Sequence, residues 1–201
     1  KGIPGVKEAA RSLYGRASIS FKGKNITGFV IGADPKFFDM YSGYIQVESG
    51  RAYKEGERNV AFFGNDAANL LFGKDKVKVG SVMQMNNRTV RVVGIQKRIG
   101  TSLSQSDDSQ IYIPFEDARD MFRNQFLPDE VGLILIQVDP GYDPEDIKAT
   151  IESKLASNHR VTMDNLDFSV ITAKQIYDIV GTVLLSVQLV LAAVTLIASV
   201  V

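Results

Sequence analysis

Apolar and polar residues alternate along residues 16–21 and again along 25–31, with Lys22-Gly23-Lys24 between them. That period of two around a glycine turn predicts a β-hairpin. Asp34-Pro35 then opens a short amphipathic helix over 36–41, with Pro35 at its first position. Gly50-Arg51 ends an extended segment and leads into the polar stretch 54–58, a loop. Residues 59–63 predict a short apolar strand, after which Asn65 is placed to cap a helix over 66–72 that stops at Gly73. A second hairpin is expected from 82–85 and 89–95 around Asn86-Asn87, its Val90, Val92 and Ile95 suiting a half-buried sheet.

Residues 98–110 are too polar to pack and predict a protruding loop; its Ser102, Ser104, Gln105, Asp107 and Asp108 are candidates for contact with a partner. A strand over 111–113 ends at Pro114, and Phe115, Ala118, Met121, Phe122 and Phe126 mark a helix over 115–126. Residues 131–138 are apolar at nearly every position and read as a strong strand. Asp143 is a natural cap and Pro144 the first residue of a helix running to about 157. Residues 161–163 and 167–171 offer further strand material. A hairpin, a mixed middle and a closing strand-helix-strand make an α+β fold.

After Asp178 the chain carries no charge, and residues 179–201 are mostly Ala, Val, Ile and Leu. A run of about 20 apolar residues matches a hydrocarbon layer roughly 30 Å thick. The competing reading, a buried helix of a water-soluble core, fits less well, because the run lacks a polar face at the helical period. Gln188, Ala192, Thr195 and Ser199 fall on one helical stripe, which suits packing between membrane helices. Lys174 and Asp178 in the preceding turns fit a helix emerging from the membrane into water. The opening Lys1-Gly2-Ile3-Pro4-Gly5 has no initiator Met and no signal-peptide pattern, and reads as an internal start.

Lys plus Arg and Asp plus Glu both number 23, so no global field gathers nucleic acid, and the basic patches at 74–78 and 97–98 are short and interrupted. Nucleic acid is not an expected partner. The absence of cysteine removes disulfides, thiol nucleophiles and Cys-containing zinc sites.

Few motifs in the chain carry chemistry. Gly64 to Gly73 lacks the Gly-Lys-Ser/Thr ending of a phosphate loop, since Gly73-Lys74 is followed by Asp75. His159, the single histidine, sits in a polar segment at a helix end and reads as a surface or C-terminal residue. Asp107-Asp108 and the trio Asp164, Asn165 and Asp167 lack calcium-loop spacing. Asp129-Glu130 and Glu145-Asp146 are adjacent pairs whose side chains diverge, which marks them as surface charges. Asn25-Ile26-Thr27 and Asn87-Arg88-Thr89 match the glycosylation acceptor pattern. No catalytic residue, cofactor site or metal site is expected, and a binding or mechanical role is favoured over catalysis.

A collinear set of local patterns carries a family resemblance: Ile3-Pro4-Gly5-Val6, Gly32-Ala33-Asp34-Pro35 with Phe37-Phe38, Gly50-Arg51, Leu70-Leu71-Phe72-Gly73, Val79-Gly80, Val92-Val93-Gly94-Ile95, Ile111-Tyr112-Ile113-Pro114-Phe115, and Phe168 to Ile171 running into an apolar helix. In this order they resemble the extracytoplasmic core domain of MacB-like and FtsX-like ABC transporter permeases, a group that includes the lipoprotein-releasing permeases LolC and LolE. The resemblance implies a porter-like α+β subdomain from 1–45 and 129–175, an inserted mostly-β subdomain over 46–128, and a stalk with the beginning of a transmembrane helix over 176–201. It implies a non-catalytic permease subunit of the cell membrane, this domain lying on the extracytoplasmic side. A cytoplasmic ABC ATPase on a separate chain would drive it, the permease would be a homodimer, and an envelope protein or a lipid-linked substrate would be the outer partner. Two readings stay open: mechanotransmission that exports a substrate, and an FtsX-like transducer that activates a cell-envelope hydrolase.

Overall fold

The computed structural model describes residues 2–100, 107–127 and 130–200. Contacts divide the chain into two compact units, one of Lys1–Lys7 with Val138–Val201, the other Glu8–Gln137.

In the larger unit the first hairpin joins β1 (Val6–Phe21) to β2 (Lys24–Ala33), pairing from Ser12↔Ala33 to Phe21↔Lys24. Its turn residues Lys22 and Gly23 have φ of 49° and 78°, the doubly left-handed geometry that follows the twist of paired strands. The second hairpin, β5 (Val82–Met85) with β6 (Arg88–Gln96), turns the same way at Asn86 and Asn87, φ 43° and 63°. Between the hairpins lie α1 (Lys36–Met40), β3 (Val47–Gly50), β4 (Val60–Phe63) and α2 (Asn65–Asn69). β7 (Ile111–Pro114) runs directly into α3 (Phe115–Met121), and β8 (Leu133–Val138) follows.

Six of these strands close on themselves. The sheet order is β2-β7-β4-β6-β5-β1, and β1 pairs back onto β2; β8 adds to β1, and β3 adds to β6. The pairs β2–β7 and β4–β6 are parallel. Ile19, Leu13, Val30, Phe63, Met85, Val92 and Ile111 belong to one buried cluster, to which α3 adds Phe115 and Ala118 and the following turn adds Phe122. A second cluster gathers Phe38, Ile45, Tyr53, Phe62 and Tyr112. Phe62 and Phe63 are consecutive on β4 and so point to opposite faces, one into each cluster. Each is fully buried, worth about 1.5–3 kcal/mol relative to exposure.

The closure accounts for the compactness of the unit from Glu8 to Gln137. β2 is tied to β7 across residues 30–33 and 111–114, so the first hairpin is held by the middle of the chain.

Four sequence expectations need correction. Asn65 is the first residue of α2 and does not cap it; Gly64 takes the cap position, and the Asn65 amide donates to Glu48 Oε2 at 2.6 Å instead. That helix ends at Asn69, and the one from Phe115 ends at Met121 and not 126, because the chain turns where Phe122 is drawn into the core. Residues 161–163 and 167–171 are turns and bends, not strands.

The smaller unit is built on α4 (Pro144–His159). Asp143 caps it, accepting the Glu145 amide at 2.9 Å, with Pro144 inside the first turn, as its sequence predicts. Its C-cap Arg160 is left-handed, φ 58°, and the Val161 amide turns back to the Ala156 carbonyl, which ends the helix and reverses the chain. Ile147 and Ile151, one turn apart, are buried. Gly5, φ 83°, lies against Ile147 and Tyr142 so closely that an added Cβ would fall 2.6 Å from Ile147 Cδ1. The unit closes with α5 (Ala173–Val200).

Candidate functional site

α5 spans 28 residues, about 42 Å at 1.5 Å per residue. Within it Ala173–Ala192 is apolar enough to cross a membrane, and none of that window is buried. Ile179, Val183, Leu184, Leu185, Val187 and Leu189 are each more than half exposed, an arrangement that water would penalise and hydrocarbon would not.

Three hydroxyls on this helix bond to its own backbone. Thr182 Oγ1 donates to the Asp178 carbonyl at 2.9 Å, Ser186 Oγ to Thr182 at 2.9 Å, and Thr195 Oγ1 to Leu191 at 2.8 Å. A hydroxyl bonded to its own helix brings no unpaired donor into lipid. Of the expected packing stripe, Gln188, Ala192 and Thr195 are exposed; the side chain of Ser199 lies outside the described residues.

The foot of α5 is a capping box that sequence reasoning overlooked. Thr172 Oγ1 accepts the Gln175 amide at 3.3 Å, and Gln175 Oε1 accepts the Thr172 amide at 3.2 Å. The same side chains reach the first turns of α4: Thr172 donates to Glu145 Oε1 at 2.7 Å, and Lys148 Nζ donates to Gln175 Oε1 at 3.1 Å. Thr172 is buried. The signal was present in Thr172-Ala173-Lys174-Gln175 directly before an apolar run. Glu145, read as a plain surface charge, is one of its anchors.

Ser102, Ser104 and Gln105 of the expected contact loop lie outside the described residues. Asp107 and Asp108, at the end of that segment, hold its base. Asp108 is buried and accepts the amides of Ile99 at 3.0 Å and Gly100 at 3.2 Å. Asp107 accepts the Tyr44 hydroxyl at 2.7 Å and the Gln110 amide at 3.3 Å. The hydrogen bond to Asp107, with some burial, pushes the Tyr44 phenol up to about 12. His159 ends α4 with Nδ1 2.9 Å from Asp167 and its ring edge-on to Phe168, a local staple at the surface. Among the described residues no group of three or more His, Asp or Glu is placed to hold a metal ion.

A chain that carries both a closed sheet and an exposed apolar helix agrees with the comparison to known proteins. Residues 1–154 match the family profile of the MacB-like periplasmic core domain. The chain belongs to this family. Relatives of the MacB-like domain include the uncharacterised ABC transporter permease MJ1507 of Methanocaldococcus jannaschii, 29% identical over 92% of this chain and 44% of that protein. The macrolide export ATP-binding/permease protein MacB of Bdellovibrio bacteriovorus is 28% identical over 81% of this chain and 25% of that protein. The chain thus spans less than half the length of either. The periplasmic region of MacB from Actinobacillus actinomycetemcomitans shares the fold with a TM-score of 0.70 at 15% identity, over 89% of this chain and 78% of that one. The extracellular domain of the transporter YknZ from Gram-positive bacteria does so at 0.61 and 20%, over 80% of each chain. The α+β reading and the recognition of a MacB-like extracytoplasmic domain hold.

Proposed function

We propose that this chain is the extracytoplasmic domain of an ABC transporter permease subunit in the cell membrane, and that it converts ATP hydrolysis by a separate cytoplasmic ATPase into motion that extrudes a substrate on the outer side. The observation that carries this is α5, an exposed apolar helix continuous with a folded MacB-like domain. A relative named as a permease alone supports an ATPase on another chain, and one named for macrolide export supports outward transport. The permease works as a homodimer, with Gln188, Ala192, Thr195 and Ser199 at the contact between membrane helices.

The test uses the full-length protein in bacterial cells. It stays with membranes after alkaline washing, and a cysteine at exposed Asn25 reacts with a membrane-impermeant thiol reagent from outside. Recovery in the soluble fraction, or labelling only after lysis, overturns the membrane reading. Deletion that leaves export unchanged while an envelope hydrolase loses activity replaces transport with signalling to that enzyme.

A further inference from the structure

The covalent path from α4 to α5 is poorly suited to passing force. Residues 161–172 form turns and bends, with Met163 and Ile171 more than half exposed. A connection without a continuous hydrogen-bond ladder bends before it transmits a push or a twist. The structure bypasses it. Thr172 and Gln175, which start α5, are held by each other and by Glu145 and Lys148 on α4. These anchors are one turn apart on α4, so the two contacts resist rotation as well as translation. Lys148 is held in turn by Glu152 at 3.8 Å, one turn further along.

α4 itself is fixed on another side. Gly5, just before β1, packs against Ile147 and Tyr142, and its carbonyl accepts the Asp139 amide at 2.8 Å. Ile147 lies between Glu145 and Lys148 in sequence, so the segment that enters the fold and the helix that leaves it both press on the same two turns of α4. The charged turns with Lys174 and Asp178 separate this point from the apolar run by about 10 Å of helix.

We propose that the first two turns of α4 are a rigid joint that makes α5 and α4 move as one body, with Thr172 and Gln175 as its positioning residues. This rests on the reading of α5 as a membrane helix. The joint hands a tilt or twist of α5 to α4 and the start of β1 without loss in the irregular connection. A hydroxyl at 172 and a side-chain oxygen acceptor at 175 are its chemical requirements, because each serves both the start of α5 and α4.

The chain has no cysteine, so spin labels go only where they are placed. In the full-length protein in lipid nanodiscs, labels at Ser153→Cys on α4 and Val183→Cys on α5 report the spread of inter-helix distances. With the native joint the distribution is narrow. Thr172→Val with Gln175→Leu broadens it and raises amide exchange at Gln175 and Ile176 by about tenfold, the scale set by lost hydrogen bonds of ordinary strength. Thr172→Ser, which keeps the hydroxyl, restores the narrow distribution, and Glu145→Ala alone gives an intermediate width. A width unchanged in the double variant, with its circular dichroism still native, overturns the joint. If the double variant does not fold, Glu145→Ala decides alone, and an unchanged width there overturns it too. An alkaline wash of the same membranes reports separately on the membrane reading, which can fail while the label distances still judge the joint.

Discussion

The buried Tyr53 hydroxyl lies 2.8 Å from the carbonyl oxygen of Ile113 and donates to it, with the Ala33 carbonyl 3.0 Å away. Ala33 and Pro114 are paired at the end of the parallel β2–β7 ladder, where Pro114 has no N–H to offer. The Tyr53 hydroxyl brings a donor to that strand end, and burial raises its phenol far above the ordinary value. Tyr53→Phe keeps the ring against Phe38 and is expected to cost about 1–3 kcal/mol, read from urea unfolding. A loss of only a few tenths would show that the hydroxyl contributes nothing there.

α3 packs directly over Gly32 of β2. A Cβ added at Gly32 would lie 2.0 Å from Ala118 Cβ, so one of the two must shift. Gly32→Ala is expected to destabilise by about 1–3 kcal/mol through overpacking. Ala118→Gly in the same chain recovers part of that loss, and a double-mutant cycle shows coupling between the two. Strict additivity refutes the contact.

Gln96 is fully buried at the end of β6, and among the described residues its side-chain oxygen and nitrogen have no hydrogen-bond partner. Such a group carries a desolvation cost with no compensation, so Gln96→Met, of similar length, is expected to hold or raise stability by about 1–2 kcal/mol. A clear loss in thermal or urea unfolding would mean that the amide is satisfied in solution.

Glu57 receives both arms of the Arg51 guanidinium at 2.7 Å and the Lys54 amide at 2.7 Å, and these hold its carboxyl down to about 2. Its folded pKa is below the ordinary 4.5, so its contribution to stability is present in full above that value and is lost as pH falls from there through about 2. Arg51→Met is expected to return the Glu57 titration, followed by carboxyl NMR, toward the ordinary range and to flatten the acid limb of the stability profile. Because both groups are partly exposed, salt weakens the effect.

Much of the local structure was legible because local chemistry specifies it. Lys22-Gly23 and Asn86-Asn87 supply positive φ where two-residue turns demand it. Asp143-Pro144 starts α4 by satisfying a first-turn amide and presetting φ. Misreadings came where tertiary packing overrode such signals: Asn65 left its cap role for Glu48, and Phe122 abandoned a helical run for the core. Residues 167–171 have strand-like composition, yet Asp167 and Phe168 are occupied by His159.

Sequence by itself determined the hairpins, the Asp143 cap, the apolar tail and the family, since each depends on residues close together in the chain or on their collinear order. Only the tertiary structure decided that β1 and β2 join the middle strands in a closed sheet, because a strand's alternation says which face is buried and not which neighbour it meets. It likewise decided that Thr172 and Gln175 engage Glu145 and Lys148: a capping box is written in four consecutive residues, whereas the helix that receives it is chosen by how the chain folds back.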